Sequence, residues 1–373
     1  MFSTPRLPSA LLALALLAAC GGDHRAGRAG GGDTLYVGVA VGLTNTARYV
    51  NVFEGVEMAL AELNASAKGG PVLAMRRAPA GARSVVAIAV AFRDDPSVVG
   101  VVGHTESAAT ITAAAIYADR ENGGEHAIVA VSPTAGAPEV TLASEWVFRV
   151  CPTTVEQARA AARYFADSLG VKRVAVLYRN DPSGTGLLRA FDEELATRGG
   201  AVSERDPFTE DITEFDAYAR RIAKMRTPGA MIAGNTTEER PFLRAMQAAG
   251  AMPAVIGTNP PEMGDTAAAR DLKGMRFVQL YWPSSSPAAA RFATAFRQRT
   301  GRAADRWAAL GYDAAMLIGQ AALAEHGDRH RMRDWIAGVG RARAAYAGAT
   351  GSISFDSNRN PANKSVLVAE AAQ

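Results

Sequence analysis

The chain has 373 residues, of which 48% are hydrophobic and 21% charged, and its formal net charge is +3. This length allows two domains with large cores, and the composition is ordinary for a soluble globular protein. The small net charge gives no argument for nucleic-acid binding, since the basic clusters fall on polar helix faces that solvent can cover.

The N-terminus has the layout of a secretory signal peptide. Arg6 precedes an apolar run over residues 10–19, which is too short to span a bilayer. The run ends in Leu-Ala-Ala directly before Cys20, and this resembles a bacterial lipoprotein signal. The resemblance implies loss of residues 1–19, acylation of Cys20 and a periplasmic or extracytoplasmic chain that meets the membrane through its lipid anchor only. Residues 20–33, rich in Gly and Arg, would form a flexible tether.

Apolar runs alternate with helical stripes from residue 34 onward. The run over 34–41 predicts a central parallel strand, and the alternation continues to about residue 150. It then restarts near residue 155 and continues to about residue 281. Two such arrays predict an α/β fold with two doubly wound parallel sheets.

Further patterns follow the second array: helices at 288–299, 306–325 and 330–343, and strands at 351–355 and 365–369. Such long helices need a sheet to cover, so we expect the chain to return to the first lobe and then cross again. The predicted division is 34–150 plus 282–349 for lobe 1 and 151–281 plus 350–373 for lobe 2.

Two polar loops follow neighbouring strands of the first array, at 104–107 and 132–136. Ligands of open parallel sheets lie outside the carboxyl ends of the strands, so both loops should face one cleft. Ser107 is placed to cap the next helix, and free N–H groups from Ala108 to Thr110 would favour a carboxylate or another anion. A ligand-binding Ser107 and one that only caps its helix both remain open here.

Short motifs lie in order along nearly the whole mature chain: Val37-Gly-Val-Ala40, Phe53-Glu-Gly-Val56, Val101-Val-Gly-His104, Val131-Ser-Pro133, Phe148-Arg149, Gly184-Thr-Gly-Leu187, Gly311-Tyr-Asp-Ala314 and Gly351-Ser-Ile-Ser-Phe-Asp356. With them the chain resembles the type I periplasmic binding proteins of the leucine/isoleucine/valine-binding kind. The family implies two lobes joined by three crossovers, here near 149–153, 279–283 and 347–352, which close on a ligand about a hinge. It also implies an ABC permease as partner.

Carried over by position, Ser107 is similar to the serine whose hydroxyl and amide hold a ligand carboxylate. Thr134 is similar to a residue whose carbonyl receives the ligand ammonium, and Gly136 to one that contributes an amide N–H. Glu106 stands where leucine-type members have a disulfide-bonded cysteine. It would be a carboxylate at the cleft rim or a solvated loop residue.

The chain also departs from the family pattern. The family's amino-acid binders usually have a threonine hydroxyl where this chain has Gly136, aromatic residues near Asn235 and Ser183, and an acid close to Asn259. A short slip could let Glu262 supply the acid. Without it, a bound ammonium would be a buried unpaired charge, at several kcal/mol. Polar carboxylates, amides, cationic ligands and peptidic fragments are therefore all open. The expected ligand contacts are Glu106, Ser107, Ala108, Thr110, Ser132, Thr134, Gly136, Asn235 and Asn259.

No residue set has the spacing of a catalytic, cofactor or metal site. The five histidines lack a His-Glu-x-x-His pattern, and His104 would touch ligand or be a satisfied strand-end histidine. No Gly-x-Ser-x-Gly elbow or phosphate-binding loop is present. Arg189 occupies the third glycine position of a dinucleotide-like Gly184-Thr-Gly186 motif. Cys151, the one cysteine left after processing, is expected in the core.

The leading hypothesis is a lipid-anchored solute-binding protein that captures a small polar ligand and delivers it to an ABC permease, with no enzymatic activity and no cofactor. An envelope lipoprotein that regulates a cell-wall enzyme or sensor is the alternative, and a dinucleotide-dependent enzyme is a third.

Overall fold

A computed structural model describes residues 34–43, 49–67, 69–209, 212–261, 265–362 and 364–370. Cys20, the predicted signal peptide and tether, and Glu262 lie outside these residues.

The first array contains five strands and four helices in alternation. They are β1 (Thr34–Ala40), α1 (Val50–Ser66), β2 (Val72–Arg77), α2 (Val85–Asp94), β3 (Val98–Gly103), α3 (Ser107–Ala118), β4 (Val129–Ser132), α4 (Glu139–Leu142) and β5 (Val147–Arg149).

The second array repeats the alternation. It contains α5 (Thr154–Arg163), β6 (Arg173–Arg179), α6 (Pro182–Ala196), β7 (Ala201–Phe208), α7 (Asp216–Met225), β8 (Gly229–Ala233), α8 (Thr236–Ala248), β9 (Ala254–Gly257), α9 (Thr266–Asp271) and β10 (Arg276–Gln279). The chain then forms α10 (Pro287–Thr300), α11 (Arg306–Ala324), α12 (Arg329–Ala337), β11 (Tyr346–Gly348), β12 (Gly351–Ile353) and β13 (Leu367–Glu370).

Two sheets carry the strands of the two arrays. The first has the order β2-β1-β3-β4-β5, with all neighbouring strands parallel. The second has the order β13-β10-β9-β8-β6-β7, in which only β13 runs antiparallel to its neighbour among the described strands. The expected α/β fold with two parallel sheets is confirmed. Its strand order reverses between β1 and β3 and between β6 and β8, where ligands of such sheets bind.

Helices cover both faces of each sheet. On the first sheet, α1, α10, α11 and α12 share one buried cluster, and α2 and α3 share the other. On the second sheet, α5 and α6 cover one face, and α7 and α8 the other. The chain thus returns to the first sheet after β10, and β13 then joins the second sheet.

Helices α1 and α11 pack closely. A Cβ at Gly55 would lie 2.1 Å from the carbonyl oxygen of Ala308, so only glycine permits this approach. The contact brings the beginnings of the two helices together, where the side-chain amide of Asn51 donates to Asp305 at 2.6 Å. This places the start of α11 beside the carboxyl edge of the first sheet.

The sequence prediction misses several short elements and extends one helix too far. The pattern at 330–343 predicts a longer helix than α12, which ends before Gly338. Helices α4 and α9, strand β11, a 3₁₀ turn at Arg120–Asn122 and a π-helical turn at Tyr164–Ser168 were not expected. Each of these has too few residues to show a hydrophobic period. Along the ranges that the structure describes, every helix is too short or too polar to cross a membrane.

Candidate functional site

The loops that follow β3 and β4 are held side by side by hydroxyl groups. Ser132 Oγ donates to the carbonyl oxygen of His104 at 2.6 Å, and Thr134 Oγ1 donates to that of Thr105 at 2.7 Å. Ser132 is fully buried and Thr134 is half-buried. The hydroxyl of Ser132 therefore supports the loop from within, whereas Thr134 retains an exposed edge.

Ser107 lies where these two loops meet. It is the first residue of α3, the preceding Glu106 occupies the N-cap position, and no side chain caps the helix. Ser107 Oγ instead accepts a hydrogen bond from the N–H of Ala137 at 3.1 Å. The expectation that its hydroxyl caps α3 is therefore wrong. Among the described residues its hydroxyl hydrogen has no acceptor, so it can donate to a ligand.

Thr110 does not present a free N–H group, in contrast to the sequence expectation. Its N–H donates to the carbonyl of Glu106 at 2.9 Å, and its buried hydroxyl donates to the carbonyls of Glu106 and His104 at 2.8 and 3.1 Å. The first three residues of α3 are the ones whose N–H groups lack an intrahelical partner. Ala108 is among them and is exposed, so the free N–H groups belong to residues 107–109 rather than to the predicted 108–110.

Glu106 is exposed, but its carboxylate is held in place. Oε1 accepts a hydrogen bond from the hydroxyl of Tyr49 at 3.0 Å. The Tyr49 ring packs edge-on against Trp307, with ring centroids 5.2 Å apart. Glu106 thus lies beside the starts of α1 and α11, at the edge of the loop pair.

Arg149 is a buried cation that the sequence analysis did not assign to the site. Its guanidinium donates to the carbonyls of Ala135, Ala137 and Pro138 at 2.9, 2.7 and 3.1 Å. Burial lowers the pKa of this guanidinium. Its signal in the sequence was an arginine at the end of an otherwise apolar strand. Arg149 fixes the loop that carries Gly136.

Gly136 is buried against the first helix of the second array. Its carbonyl accepts the N–H of Thr154 at 2.8 Å, and a Cβ added to it would lie 2.9 Å from Thr154 Cγ2. The site loop therefore contacts the segment that leads from the first sheet to the second. A ligand contact from the amide of Gly136 stays a prediction.

On the second sheet, Asn235 and Asn259 follow adjacent strands, β8 and β9. Asn259 Nδ2 donates to the carbonyl of Gly234 at 2.7 Å, which joins the two loops. Asn235 is the N-cap residue of α8, and its N–H donates to the carboxylate of Glu238 at 2.7 Å. Both asparagines are half-buried, so each retains surface at the carboxyl edge of the sheet.

Glu239 is a fully buried carboxyl group beneath these loops. Its Oε1 accepts the N–H of Asn259 at 3.4 Å, and its Oε2 has no partner within the described part of the chain. Burial raises the pKa of Glu239 well above its usual range, so burial disfavours its charged form. Sequence reasoning missed it because two acids in a first helical turn look like ordinary solvated residues.

The two sets of loops are linked across the sheets by the start of α11. Arg306 Nη1 donates to the carbonyl of Pro260, next to Asn259, at 2.9 Å. Since α11 starts beside α1 and Tyr49, this contact brings the second sheet's loops toward Glu106. The start of α11 thus lies beside both the Asn259 loop and Glu106, and a cleft shared by the predicted ligand residues of both sheets stays a prediction.

His104 is a buried, neutral histidine. Its Nε2 lies 3.1 Å from the hydroxyl of Tyr117, and burial lowers the pKa of His104 to about 4. The structure therefore favours the satisfied strand-end histidine over a ligand contact. No group of three His, Cys, Asp or Glu in the described ranges could hold a metal ion.

The chain was compared with known proteins. A family model described as "Periplasmic binding protein" matches residues 34–373. The Leu/Ile/Val/Thr-binding protein of Salmonella typhimurium is 29% identical over 202 residues, which is 53% of this chain and 53% of that protein. The chain thus matches about half the length of such curated relatives.

Solved structures match over nearly the whole chain. An ABC transporter substrate-binding protein of Desulfitobacterium hafniense, in complex with Leu, is 25% identical with a TM-score of 0.75, and the match covers 90% of this chain and 96% of that one. A solute-binding protein of an R. palustris ABC transporter, in complex with benzoate, is 19% identical with a TM-score of 0.73, covering 91% and 93%. The second likeness shows the fold alone.

Proposed function

The chain belongs to the periplasmic binding protein family, and we propose that it is the extracytoplasmic solute-binding component of an ABC transporter, with a small carboxylate as its ligand. The proposed ligand class is based on the start of α3. There, Ser107 offers a hydroxyl donor beside backbone N–H groups without intrahelical partners. The helix dipole places partial positive charge at the same point, and this arrangement suits a carboxylate.

The proposed site is less suited to an ammonium group. The described carboxyl groups bonded to Asn235 and Asn259 belong to Glu238, which accepts the N–H of Asn235, and to Glu239, which is fully buried and whose pKa burial raises. The exposed carboxylate of Glu106 is the remaining acid beside the Ser107 loop. We therefore propose a ligand with one carboxylate and a polar, uncharged or weakly basic remainder. Comparing carboxylates with and without an α-amino group tests whether the site accepts an ammonium.

Binding by this arrangement requires no chemical step. The helix end, Ser107 and the loop held by Arg149 provide hydrogen-bond donors that are already in position. Closure of the two lobes about the crossovers would then cover the ligand with the Asn235 and Asn259 loops. We propose that the closed form is recognised by an ABC permease and that the chain is a binding protein rather than an enzyme.

A thermal-shift and calorimetry panel tests this function. Leucine, benzoate, 4-hydroxybenzoate, γ-aminobutyrate and the primary amides of leucine, benzoic acid and 4-hydroxybenzoic acid would be added to the protein from residue 34 onward. We expect at least one carboxylate to raise the melting temperature and its amide to do so far less. Stabilisation by amides alone, or by no small molecule while a cell-wall synthase co-purifies, would contradict the proposal.

Replacement of Ser107 by alanine removes the proposed hydroxyl donor to the carboxylate. Ser107→Ala should weaken the best carboxylate of the panel by about 1–3 kcal/mol, since hydrogen bonds to charged groups have this strength. Titration calorimetry measures the change. Ser66→Ala is the matched control, because Ser66 is exposed and makes one local hydrogen bond to Leu63. Equal affinities of both variants would place the carboxylate elsewhere.

We also propose that Cys20 carries the membrane anchor, as the sequence pattern before it indicates. Two or more acyl chains would hold the protein firmly at a membrane, because each buried methylene contributes about 0.8 kcal/mol. Metabolic labelling with a fatty-acid analogue should mark the wild-type protein and not Cys20→Ser. Labelling of both would place the lipid on another residue.

A further inference from the structure

A small pocket lined by arginines lies away from the proposed ligand site. Its volume is about 110 Å³, and its lining includes Arg333 of α12, Arg341 of the turn after α12, and Arg359 of the segment after β12. The rings of Phe148 and Phe355, which meet edge-on with centroids 5.1 Å apart, also line it. We call it the arginine pocket.

Two of these guanidinium groups keep a buried donor unused. Arg333 forms an ion pair with Asp334, with Nη2 and Oδ1 2.9 Å apart, and lies over the ring of Trp146. Arg359 donates from Nη2 to the carbonyl of Thr141 at 2.5 Å. The Nε atoms of both arginines are buried and have no partner in the described part of the chain. Buried donors are rarely left unpaired, and a bound ion or water is a usual explanation.

Two carboxylates, those of Asp356 and Glu145, line the pocket beside the arginines. Asp356 accepts the backbone N–H groups of Asn358 and Asn360 at 2.8 and 2.9 Å, so it is used to form its own turn. Glu145 lines the pocket but is exposed to solvent. Burial lowers the pKa of Arg359, the carboxylates of Glu145 and Asp356 raise it, and the nearby charge of Arg333 lowers it. Arg333 and Arg359 thus lie close enough to repel each other. An anion between them would remove that repulsion.

We propose that the arginine pocket binds a small oxyanion, a phosphate or carboxylate group, through Arg333, Arg341 and Arg359. Arginine suits this role because its planar fork of N–H donors matches the spacing of oxyanion oxygens. The volume admits such a group and excludes a larger molecule, which could enter only by its anionic end. The site is separate from the Ser107 loop, so it does not depend on the proposed transport ligand.

An anion in this pocket would join α12 to the turn at 356–361. That turn already contacts α4 and β5, since Asn360 accepts the hydroxyl of Thr141 at 3.0 Å and the carbonyl of Arg359 accepts the N–H of Arg149 at 3.4 Å. Arg149 in turn holds the loop of Gly136. A bound oxyanion should therefore stiffen the segment that leads from β12 toward β13.

Inorganic phosphate, and separately acetate, would be titrated into the protein from residue 34 onward by calorimetry at low ionic strength. We expect saturable binding of at least one of the two, weakened about tenfold to a hundredfold in Arg341→Gln and in Arg333→Gln. Arg341 is exposed, so the first variant should keep its fold, and thermal melts without anion verify both. Tighter binding of phosphate than of acetate would indicate a phosphate group as the natural ligand, and the reverse would indicate a carboxylate.

Arg331→Gln is the matched control. It lies on the same helix, pairs with Glu325 and Asp328, and does not line the pocket. It should bind the anion as the wild type does. The proposal is overturned if neither anion binds saturably, if the pocket variants bind like the wild type, or if Arg331→Gln loses as much affinity as they do.

Discussion

At the scale of single residues, the candidate site is built on buried polar groups that support a few exposed donors. His104 is 1% exposed, and its carbonyl accepts the hydroxyls of Ser132 and Thr110. Its ring touches Tyr117 rather than the ligand side. A charge on this ring would therefore act at the end of β3, where the carbonyl of His104 holds the loops after β3 and β4 together.

The buried ring of His104 predicts a dependence of stability on pH. Its pKa is lowered to about 4 from an ordinary value of 6.5, so between these values the unfolded chain binds a proton that the folded protein does not. The free energy of unfolding should then fall as the pH drops from 6.5 to about 4, by up to about 3 kcal/mol from this group. Above pH 6.5 the contribution is constant.

Urea unfolding between about pH 4 and pH 7 measures this effect. His104→Gln removes the ionisable ring and should show a smaller loss of stability on acidification. His126→Gln, at an exposed histidine, should retain the slope of the wild type. An unchanged slope in His104→Gln would assign the acid sensitivity to other groups.

At the scale of elements, the start of α5 fixes the site loop of the first sheet to the second array. Thr153 and Glu156 form a capping box, with the N–H of Thr153 donating to Glu156 at 2.7 Å and that of Glu156 donating to Thr153 Oγ1 at 3.1 Å. The next residue, Thr154, donates its N–H to Gly136. A well-capped helix end thus holds the loop, and the fit leaves little room at Gly136.

A larger side chain at Gly136 should disturb both stability and binding. The valine Cβ would lie 2.9 Å from Thr154 Cγ2, so Gly136→Val must displace the Thr154 side chain or the loop, and we expect a loss of about 1–3 kcal/mol in stability. Ligand affinity should fall as well, and ligand-dependent compaction in small-angle scattering should be lost.

Gly186→Ala is the matched control for this change. A Cβ at Gly186 meets no atom within 4 Å, and alanine favours the helix by up to about 1 kcal/mol. This variant should be as stable as the wild type or more so, and it should compact normally. Normal binding and compaction in Gly136→Val would show that the loop does not take part in closure.

At the scale of the whole molecule, two of the predicted crossovers meet at a buried polar cluster. Asp313 of α11 accepts the N–H groups of Ala349 and Thr350 at 2.7 and 2.9 Å. Lys364 donates to the carbonyl of Val150 at 2.7 Å and to the Thr350 hydroxyl, which in turn donates to Asp313. The segments near residue 150 and near residue 350 are thereby held to the same helix.

This cluster should contribute strongly to stability. Burial lowers the pKa of Lys364 to about 8 and raises that of Asp313, so each charge depends on the other. Asp313→Asn leaves the ammonium without its anion and should cost about 3–5 kcal/mol in the free energy of unfolding. The double variant with Lys364→Met should recover part of this loss.

Urea denaturation of both variants tests the coupling, with Asp334→Asn on the surface of α12 as control. The control should change stability by less than about 1 kcal/mol. A small effect of Asp313→Asn, or a double variant less stable than the single one, would mean that the two groups do not act as a pair.

The sequence by itself determined the longer elements and their arrangement into two arrays, but not the short helices α4 and α9 or strand β11. Strands such as β1 and β3 are continuous apolar runs, and helices such as α1 show a period that any buried face imposes. Because ligands of parallel sheets bind at the carboxyl ends of strands, the loops at 104–107 and 132–136 could be named as neighbours. These are local patterns combined with a general rule of topology.

Only the tertiary structure decided what the individual polar groups do. Ser107 bonds Ala137 instead of capping its helix, Thr110 is used internally, and Arg149 and Glu239 are buried. Each role depends on partners that are distant in sequence or on burial by another element. An Arg or Glu looks the same in sequence whether water or a packed loop surrounds it. The physical reason is that desolvation and hydrogen-bond pairing are properties of the assembled neighbourhood, which local periodicity does not encode.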